Sequence, residues 1–162
     1  MKTTNDLKTF AQLLPSYGPL IGVDHGSRQT GLAISNPSRT IASSFCNVKD
    51  ISLSTYFDNI LEKDQNLNIT GLVIGYPISL SGKGSRRSQA IKQISTDLVK
   101  THKLPILLWD ERLSTQAVER VMIEANVKRK KRSNLLDSVA ATWILQGALD
   151  ALTKLAEFSH KG

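Results

Sequence analysis

The order of the short apolar runs is the feature that most narrows the fold of this chain. Three runs, at 20–25, 32–35 and 41–48, follow one another through short connections rich in Gly, Ser, Asn and Pro. Connections of this length and composition predict three strands joined as hairpins. Over roughly 51–66 the apolar residues instead recur every three or four positions, which predicts a helix.

Beyond residue 70, apolar strands alternate with amphipathic helices. The runs 71–75 and 105–109 are predicted buried strands, and a final long helix is predicted over 135–155. Three hairpin-linked strands followed by this alternation predict an α/β protein in which helices flank one mixed sheet. Trp109 and Trp143 fall within apolar patterns, so both are predicted to lie in the core.

Length and cysteine content limit the class of protein. A chain of 162 residues suits one compact domain, which we assign to 20–160, with 1–19 as an N-terminal extension of no catalytic role. The single cysteine, Cys46, excludes an internal disulfide and a cysteine-rich zinc site. No apolar run approaches the ~18 residues that span a membrane. We therefore expect a cytoplasmic protein without a membrane partner.

Positive charge is concentrated in one part of the chain. The formal net charge is +7, and residues 83–132 contain 13 Lys and Arg against 5 Asp and Glu. Such a segment favours a nucleic-acid partner, although a merely solvated basic face would show the same count. Aromatic residues are few, so contact with the phosphate backbone is expected rather than base stacking. Residues 128–132 are predicted to form a basic loop. The candidate phosphate contacts are Arg28, Lys83, Arg86, Arg87, Arg112, Lys128, Arg129, Lys130, Lys131 and Arg132.

Acidic residues follow the predicted strands. Asp24 closes the first strand, Asp110 and Glu111 close the last, and Asp137 is predicted to open the final helix. The carboxyl ends of parallel strands meet at one edge of a sheet, so these carboxylates would converge and would need cations to offset their repulsion. Oxygen ligands select Mg²⁺ or Mn²⁺, which in pairs promote phosphodiester hydrolysis. Taken singly, each acid is equally explained as a turn residue, an ion-pair partner or a favourable helix-start charge.

Four sequence blocks carry a resemblance to a known family. They are GVDHGSRQTGLA at 22–33, VIGYP at 73–77 followed by SG at 81–82, DERLST at 110–115, and DSVAA at 137–141 continuing to ILQ at 144–146. In this order and over about 20–147, the sequence resembles the YqgF family, also called RuvX, of pre-16S rRNA nucleases in the RNase H-like superfamily.

The resemblance implies both a fold and a site. The fold would be RNase H-like, a five-stranded mixed sheet with three antiparallel and then two parallel strands and with helices on both faces. Asp24, Glu111 and Asp137 would be the catalytic acids and, with Asp110 as a fourth candidate, the ligands of Mg²⁺ or Mn²⁺. Whether Asp110 or Glu111 binds the metal directly is left open. The activity would be phosphodiester hydrolysis in 5′-end maturation of pre-16S rRNA, with the small-subunit precursor as partner.

Three other functions are compatible with parts of the pattern. One is resolution of Holliday junctions in DNA recombination and repair. Another is a nucleic-acid-binding factor without significant cleavage. The third is an ATPase, because Asp24, Gly26 and Gly31 have the spacing of the first phosphate loop of actin-like kinases. Those kinases enclose the nucleotide between two large lobes, for which 162 residues leave no room.

Overall fold

The computed structural model describes residues 2–26, 29–49, 51–63, 65–76, 86–110 and 129–161, with the backbone alone at 61–63, 65, 129–138 and 159–161. The strands are β1 (Thr3–Thr4), β2 (Leu20–His25), β3 (Thr30–Ser35), β4 (Ala42–Val48), β5 (Gly71–Tyr76) and β6 (Ile106–Asp110). The helices are α1 (Leu7–Leu13), α2 (Leu53–Lys63), α3 (Arg86–His102) and α4 (Arg129–Lys161), with a 3₁₀ helix at Gln65–Leu67.

The described strands form one mixed sheet in the order β1-β6-β5-β2-β3-β4. Strands β2, β3 and β4 pair antiparallel, whereas β5 runs parallel to β2, and β6 runs parallel to β5. This is the arrangement predicted for an RNase H-like fold, except that β1 adds a sixth strand. Thr3 and Thr4 pair with Ile106 and Leu107 of β6. The sequence does not reveal β1, because two polar residues are too few to show a strand alternation.

Helices cover both faces of the sheet, as predicted. Alternate strand residues point to opposite faces, so each strand contributes to two cores. On one face, Val23 and Ile74 belong to a buried cluster with side chains of α2 and α3. On the other face, Leu20 and Val73 belong to a cluster with side chains of α1 and α4. These two faces are called the α2/α3 face and the α4 face below.

The N-terminal segment packs onto the α4 face. Asp6 caps α1 by accepting a hydrogen bond from the Thr9 backbone N–H at 3.1 Å. Phe10, on α1, is fully buried and lies in the same cluster as Ile144 of α4. The proposed division at residue 20 stays a prediction about domain organisation, but the segment before it supplies a strand and a core side chain.

A glycine lets α4 approach the centre of the sheet. A Cβ atom built on Gly22 of β2 would lie 2.7 Å from Cβ of Leu145 and 2.9 Å from the carbonyl oxygen of Ala141. Real Cβ atoms essentially never come this close to other atoms. Any side chain at this position would therefore push α4 outward, so Gly22 sets the height of the helix above β2.

Three expectations about α4 were wrong. The helix begins at Arg129, so 129–132 form its first turn and not a loop, and Asp137 lies inside the helix, not at its start. Lys and Arg are good helix formers, but they carry no apolar periodicity that would reveal the helix in the sequence. Trp143 is 53% exposed and thus lies outside the core. The buried stripe of α4 follows Ala141, Ile144 and Ala148, and Trp143 falls beside this stripe.

Within the ranges given above, α1 to α4 include no helix whose length and apolar character would let it cross a membrane.

Candidate active site at the carboxyl edge of the sheet

Strands β2, β5 and β6 end at the same edge of the sheet, called the carboxyl edge here. Asp24 is the penultimate residue of β2, and it is 6% exposed. It pairs with Gly31 of β3. The structure thus places Asp24 where the sequence predicted it, at the end of the first core strand and nearly out of contact with solvent.

Arg87 holds the end of β2 through two contacts. Its Nη2 donates to Oδ1 of Asp24 at 3.1 Å, and its Nε donates to the backbone carbonyl of His25 at 3.1 Å. The Arg87 side chain is 44% exposed, so solvent screens the ion pair and its contribution to stability is small. The rigid guanidinium fork nevertheless fixes the orientation of the Asp24 carboxylate and joins β2 to the first turn of α3.

His25, the neighbour of Asp24 in β2, carries no positive charge at neutral pH. The Gly26 N–H donates to the Gln29 carbonyl at 3.1 Å, which closes the β2–β3 hairpin. Nδ1 of His25 lies 3.2 Å from the Thr30 hydroxyl. Burial, and then the positive charge of Arg87, lower the pKa of His25 below its ordinary value of 6.5. His25 is therefore neutral at pH 7, whereas the guanidinium of Arg87 contacts Asp24 directly.

Asp110 shares the edge with Asp24 but not the face. It is the exposed last residue of β6 and pairs with Tyr76 of β5. By strand alternation Asp110 lies on the α2/α3 face with Leu108, whereas Asp24 lies on the α4 face with Leu20. Two strand spacings separate β6 from β2, which puts the two Cα atoms about 10 Å apart.

A recess of about 430 Å³ also opens at the carboxyl edge. Its walls are formed by Asn5, Tyr76, Leu108, Trp109 and Asp110. The sequence pointed to Asp110 alone among these residues. Nothing in the sequence pattern connects Asn5 with it, because Asn5 reaches the site only through the pairing of β1 with β6.

The remaining predicted site residues are described less fully. Arg86 and Arg87 are the first two residues of α3, and Arg86 is exposed. The backbone of α4 includes Asp137 and the basic residues Arg129, Lys130, Lys131 and Arg132. Outside the described residues lie Arg28, Lys83, Glu111, Arg112 and Lys128.

The side chains that the structure describes do not by themselves form a complete metal site. Among side chains that the structure describes, no group of three or more His, Cys, Asp or Glu residues could hold a metal ion. Of the carboxylates whose side chains are described, Asp24 alone is buried on the α4 face, and it has a cationic partner in Arg87. This oxygen donor suits a hard divalent cation.

Comparison with known proteins identifies the class and the family. Residues 18–151 match the family model RuvX, which is described as a Holliday junction resolvase. A Caulobacter sp. (strain K31) protein named "Putative pre-16S rRNA nuclease" is 37% identical over 159 residues, 97% of each chain. A Rhodobacter capsulatus protein of the same name is 40% identical over 146 residues, covering 90% of this chain and 92% of the relative. The chain is a nuclease, a hydrolase of phosphodiester bonds. Within that class, it belongs to the RuvX family.

Solved structures also resemble the chain, at low identity. RuvC of T. thermophilus, in complex with a Holliday junction substrate, matches with a TM-score of 0.46 and 14% identity, over 83% of this chain and 94% of RuvC. The fowlpox virus resolvase, in complex with Holliday junction DNA, matches with a TM-score of 0.48 and 12% identity, over 83% of this chain and 98% of the resolvase.

Proposed function

We propose that the protein is a metal-dependent nuclease that hydrolyses a phosphodiester bond of pre-16S rRNA during 5′-end maturation, in the cytoplasm. The observation that carries this proposal is the buried Asp24 carboxylate at the carboxyl edge, held by Arg87 at 3.1 Å. Ligand and catalytic sites of open α/β sheets lie beyond this edge. The names of relatives that are 37–40% identical over most of the chain support the substrate.

Asp24, Glu111 and Asp137 are the proposed catalytic acids and metal ligands. Asp137 precedes Ala141 by one helical turn, and Ala141 approaches Gly22, two residues before Asp24 on β2. Residues four apart lie on one side of a helix, which supports an Asp137 position near Asp24. Asp110 lies on the face opposite to Asp24, which disfavours Asp110 as the direct ligand and leaves Glu111 as the proposed one.

The proposed cation is Mg²⁺ or Mn²⁺, because the candidate ligands are carboxylates alone. When bound, such an ion lowers the pKa of a water and stabilises the leaving oxygen of a phosphodiester. Asp24 contributes a carboxylate whose orientation is already set by Arg87.

Basic residues around the carboxyl edge are proposed to bind the RNA backbone. Arg87 is nearly half exposed, so its guanidinium is accessible to a phosphate while it remains next to Asp24. Arg86, at the start of α3, is exposed. The concentrated positive charge of 83–132 supports the same role for a further set of residues. These are Lys83, Arg112, Lys128, Arg129, Lys130, Lys131 and Arg132. Arg28, which lies outside that segment and follows β2 in the sequence, is proposed with them.

A cleavage assay with a matched pair of variants tests the proposal. The substrates are a pre-16S rRNA 5′ leader and a synthetic four-way DNA junction, each with Mg²⁺ or Mn²⁺. Asp24→Asn preserves the shape of the side chain and removes its charge, and we expect RNA cleavage to fall about 100-fold or more. Asp97→Asn, on the exposed side of α3, is the control and should cleave like wild type.

The other outcomes contradict the proposal in distinct ways. Cleavage of the junction alone would show that the substrate is branched DNA. Tight binding of RNA without any metal-dependent cut would show a binding factor and not a nuclease. Equal cleavage by wild type and Asp24→Asn would show that the Asp24 carboxylate takes no part in the reaction.

A further inference from the structure

The recess at the carboxyl edge is separate from the Asp24 site. Tyr76, Leu108 and Asp110 are alternate or directly paired residues of β5 and β6, so all three lie on the α2/α3 face. Asn5, which follows β1, completes the recess from the side of the neighbouring strand. Its volume of about 430 Å³ falls within the range of about 300–1,000 Å³ that is usual for small-molecule sites.

The lining combines the rings of Tyr76 and Trp109 with an apolar side chain and hydrogen-bonding groups. Tyr76 is half-buried, and Nζ of Lys92 lies 6.0 Å from the centroid of its ring. Leu108 adds apolar surface. The Asp110 carboxylate offers only acceptors, up to about four lone pairs, whereas the Asn5 amide both donates and accepts.

This chemistry selects a flat heterocycle that donates N–H groups. An aromatic ring beside apolar surface favours stacking of a nucleobase. Asp110 supplies a carboxylate acceptor to the recess. It favours a base with an exocyclic amino group, because a carboxylate accepts well from N4 of cytosine but meets a second acceptor at the corresponding O4 of uracil.

We propose that the recess holds one unpaired nucleobase of the substrate strand, with the base against Tyr76 and its amino group bonded to Asp110. This inference rests on the proposed nuclease function, since the strand is the nuclease substrate. Asp110 lies about 10 Å from Asp24 along the same edge. The two residues lie on opposite faces of the sheet, so a strand that crosses this edge can place a phosphate at Asp24 and a base in the recess. Backbone contacts carry no sequence information, so this site would add base selectivity to them.

Binding of short RNA strands tests the recess without any need for cleavage. Fluorescence anisotropy is measured in EDTA with three labelled strands of six residues: cytidines, uridines, or abasic sugars with the same phosphates. Wild type should bind the cytidine strand about tenfold more tightly than the abasic strand. It should also bind the cytidine strand more tightly than the uridine strand, because only cytosine donates to Asp110.

Three variants separate base recognition from general effects. Asp110→Asn, at an exposed position, should remove the preference for cytidine over uridine. Tyr76→Leu keeps an apolar side chain but loses the ring, and should bring the cytidine affinity close to the abasic affinity. Asn59→Ala, on the exposed surface of α2, is the control and should keep both preferences of wild type.

Two results would overturn the inference. One is equal binding of base-bearing and abasic strands by wild type, which would leave only phosphate contacts. The other is an unchanged cytidine-to-uridine ratio in folded Asp110→Asn. Failure of the proposed function is recognised separately. If the protein prefers cytidine strands but cleaves no RNA with Mg²⁺ or Mn²⁺, the proposal for the recess stands and the nuclease proposal fails.

Discussion

Replacing Gly22 with alanine tests whether close packing of α4 on β2 maintains the site. The added Cβ would lie 2.7 Å from Cβ of Leu145 and 2.9 Å from the carbonyl oxygen of Ala141. Carbon atoms in good contact are about 3.5–4.0 Å apart, so the first approach is about 1 Å too short. The second contact is with backbone, and no rotamer change relieves it. The helix itself must move.

The size of the effect follows from this displacement. Overpacking of a core costs typically about 1–3 kcal/mol. For a domain of this length, each kcal/mol changes the melting temperature by about 2–4 °C. We therefore expect Gly22→Ala to melt about 2–12 °C below wild type, with a matching loss in the free energy of unfolding measured in urea.

Gly147→Ala provides the matched control. A Cβ at Gly147 meets Nε1 of Trp109 at 3.3 Å, which is tight but involves a side chain that can adjust. In a helix interior, alanine is also favoured over glycine by up to about 1 kcal/mol. Gly147→Ala should therefore be as stable as wild type or slightly more stable.

The comparison of Gly22→Ala with Gly147→Ala also predicts a difference in activity. Because α4 carries Asp137, an outward shift of about 1 Å would separate Asp137 from Asp24. On the proposed reaction such a misplacement costs about 100-fold in rate even in folded protein. A Gly22→Ala protein with wild-type stability, or with the same change as Gly147→Ala, would refute the packing argument.

Three further predictions concern other contacts. Arg87→Ala should lower the free energy of unfolding by less than about 1 kcal/mol, and reduce the salt slope of RNA binding by about 0.7–0.9. Phe10→Ala should cost about 3–5 kcal/mol in urea denaturation, because the side chain is fully buried. Hydrogen bonds from Thr9 lower the pKa of Asp6 below 3.8. The stability that Asp6 contributes is thus complete above pH 3.8 and is lost as the pH falls through the lower folded-state pKa. Thermal melts of Asp6→Ala should accordingly converge with wild type in acid.

Each of these predictions has a contradicting result. An unchanged salt slope in Arg87→Ala would exclude a phosphate contact by this side chain. A fully stable Phe10→Ala would show that α1 does not stabilise the α4 face. A constant difference between Asp6→Ala and wild type down to strongly acidic pH would show that the charge of Asp6 is not what caps α1.

The core strands could be predicted from the sequence because burial imposes a regular pattern on them. Strands β2, β3, β5 and β6 are largely buried, whereas β4 is a partly exposed strand at the end of the sheet. The structure places all five within one or two residues of the expected bounds. The N-terminal strand and the start of α4 show no such pattern. Thr3 and Thr4 are polar, and 129–132 are charged throughout, so local periodicity carries no signal there.

The candidate site was predictable only in part, because its contacts join distant segments. Asp24 was predicted as a site residue because it closes an apolar strand and is soon followed by glycine. In the structure Asp24 is buried at the end of that strand. The partner of Asp24 is 63 residues away, and no local rule distinguishes Arg86 from Arg87 as the one that reaches it. The face on which Asp110 lies depends on the strand register, which is a property of the assembled sheet.

The two-residue strand β1 has a consequence for solubility. It covers part of the outer side of β6, where the Ile106 N–H donates to the Lys2 carbonyl at 3.1 Å. Without residues 2–5, the apolar β6 would present unpaired amide and carbonyl groups to solvent, a template on which a second copy could add a strand. A shortened protein would therefore tend to self-associate and precipitate, a failure that a cleavage assay would misread as loss of catalysis.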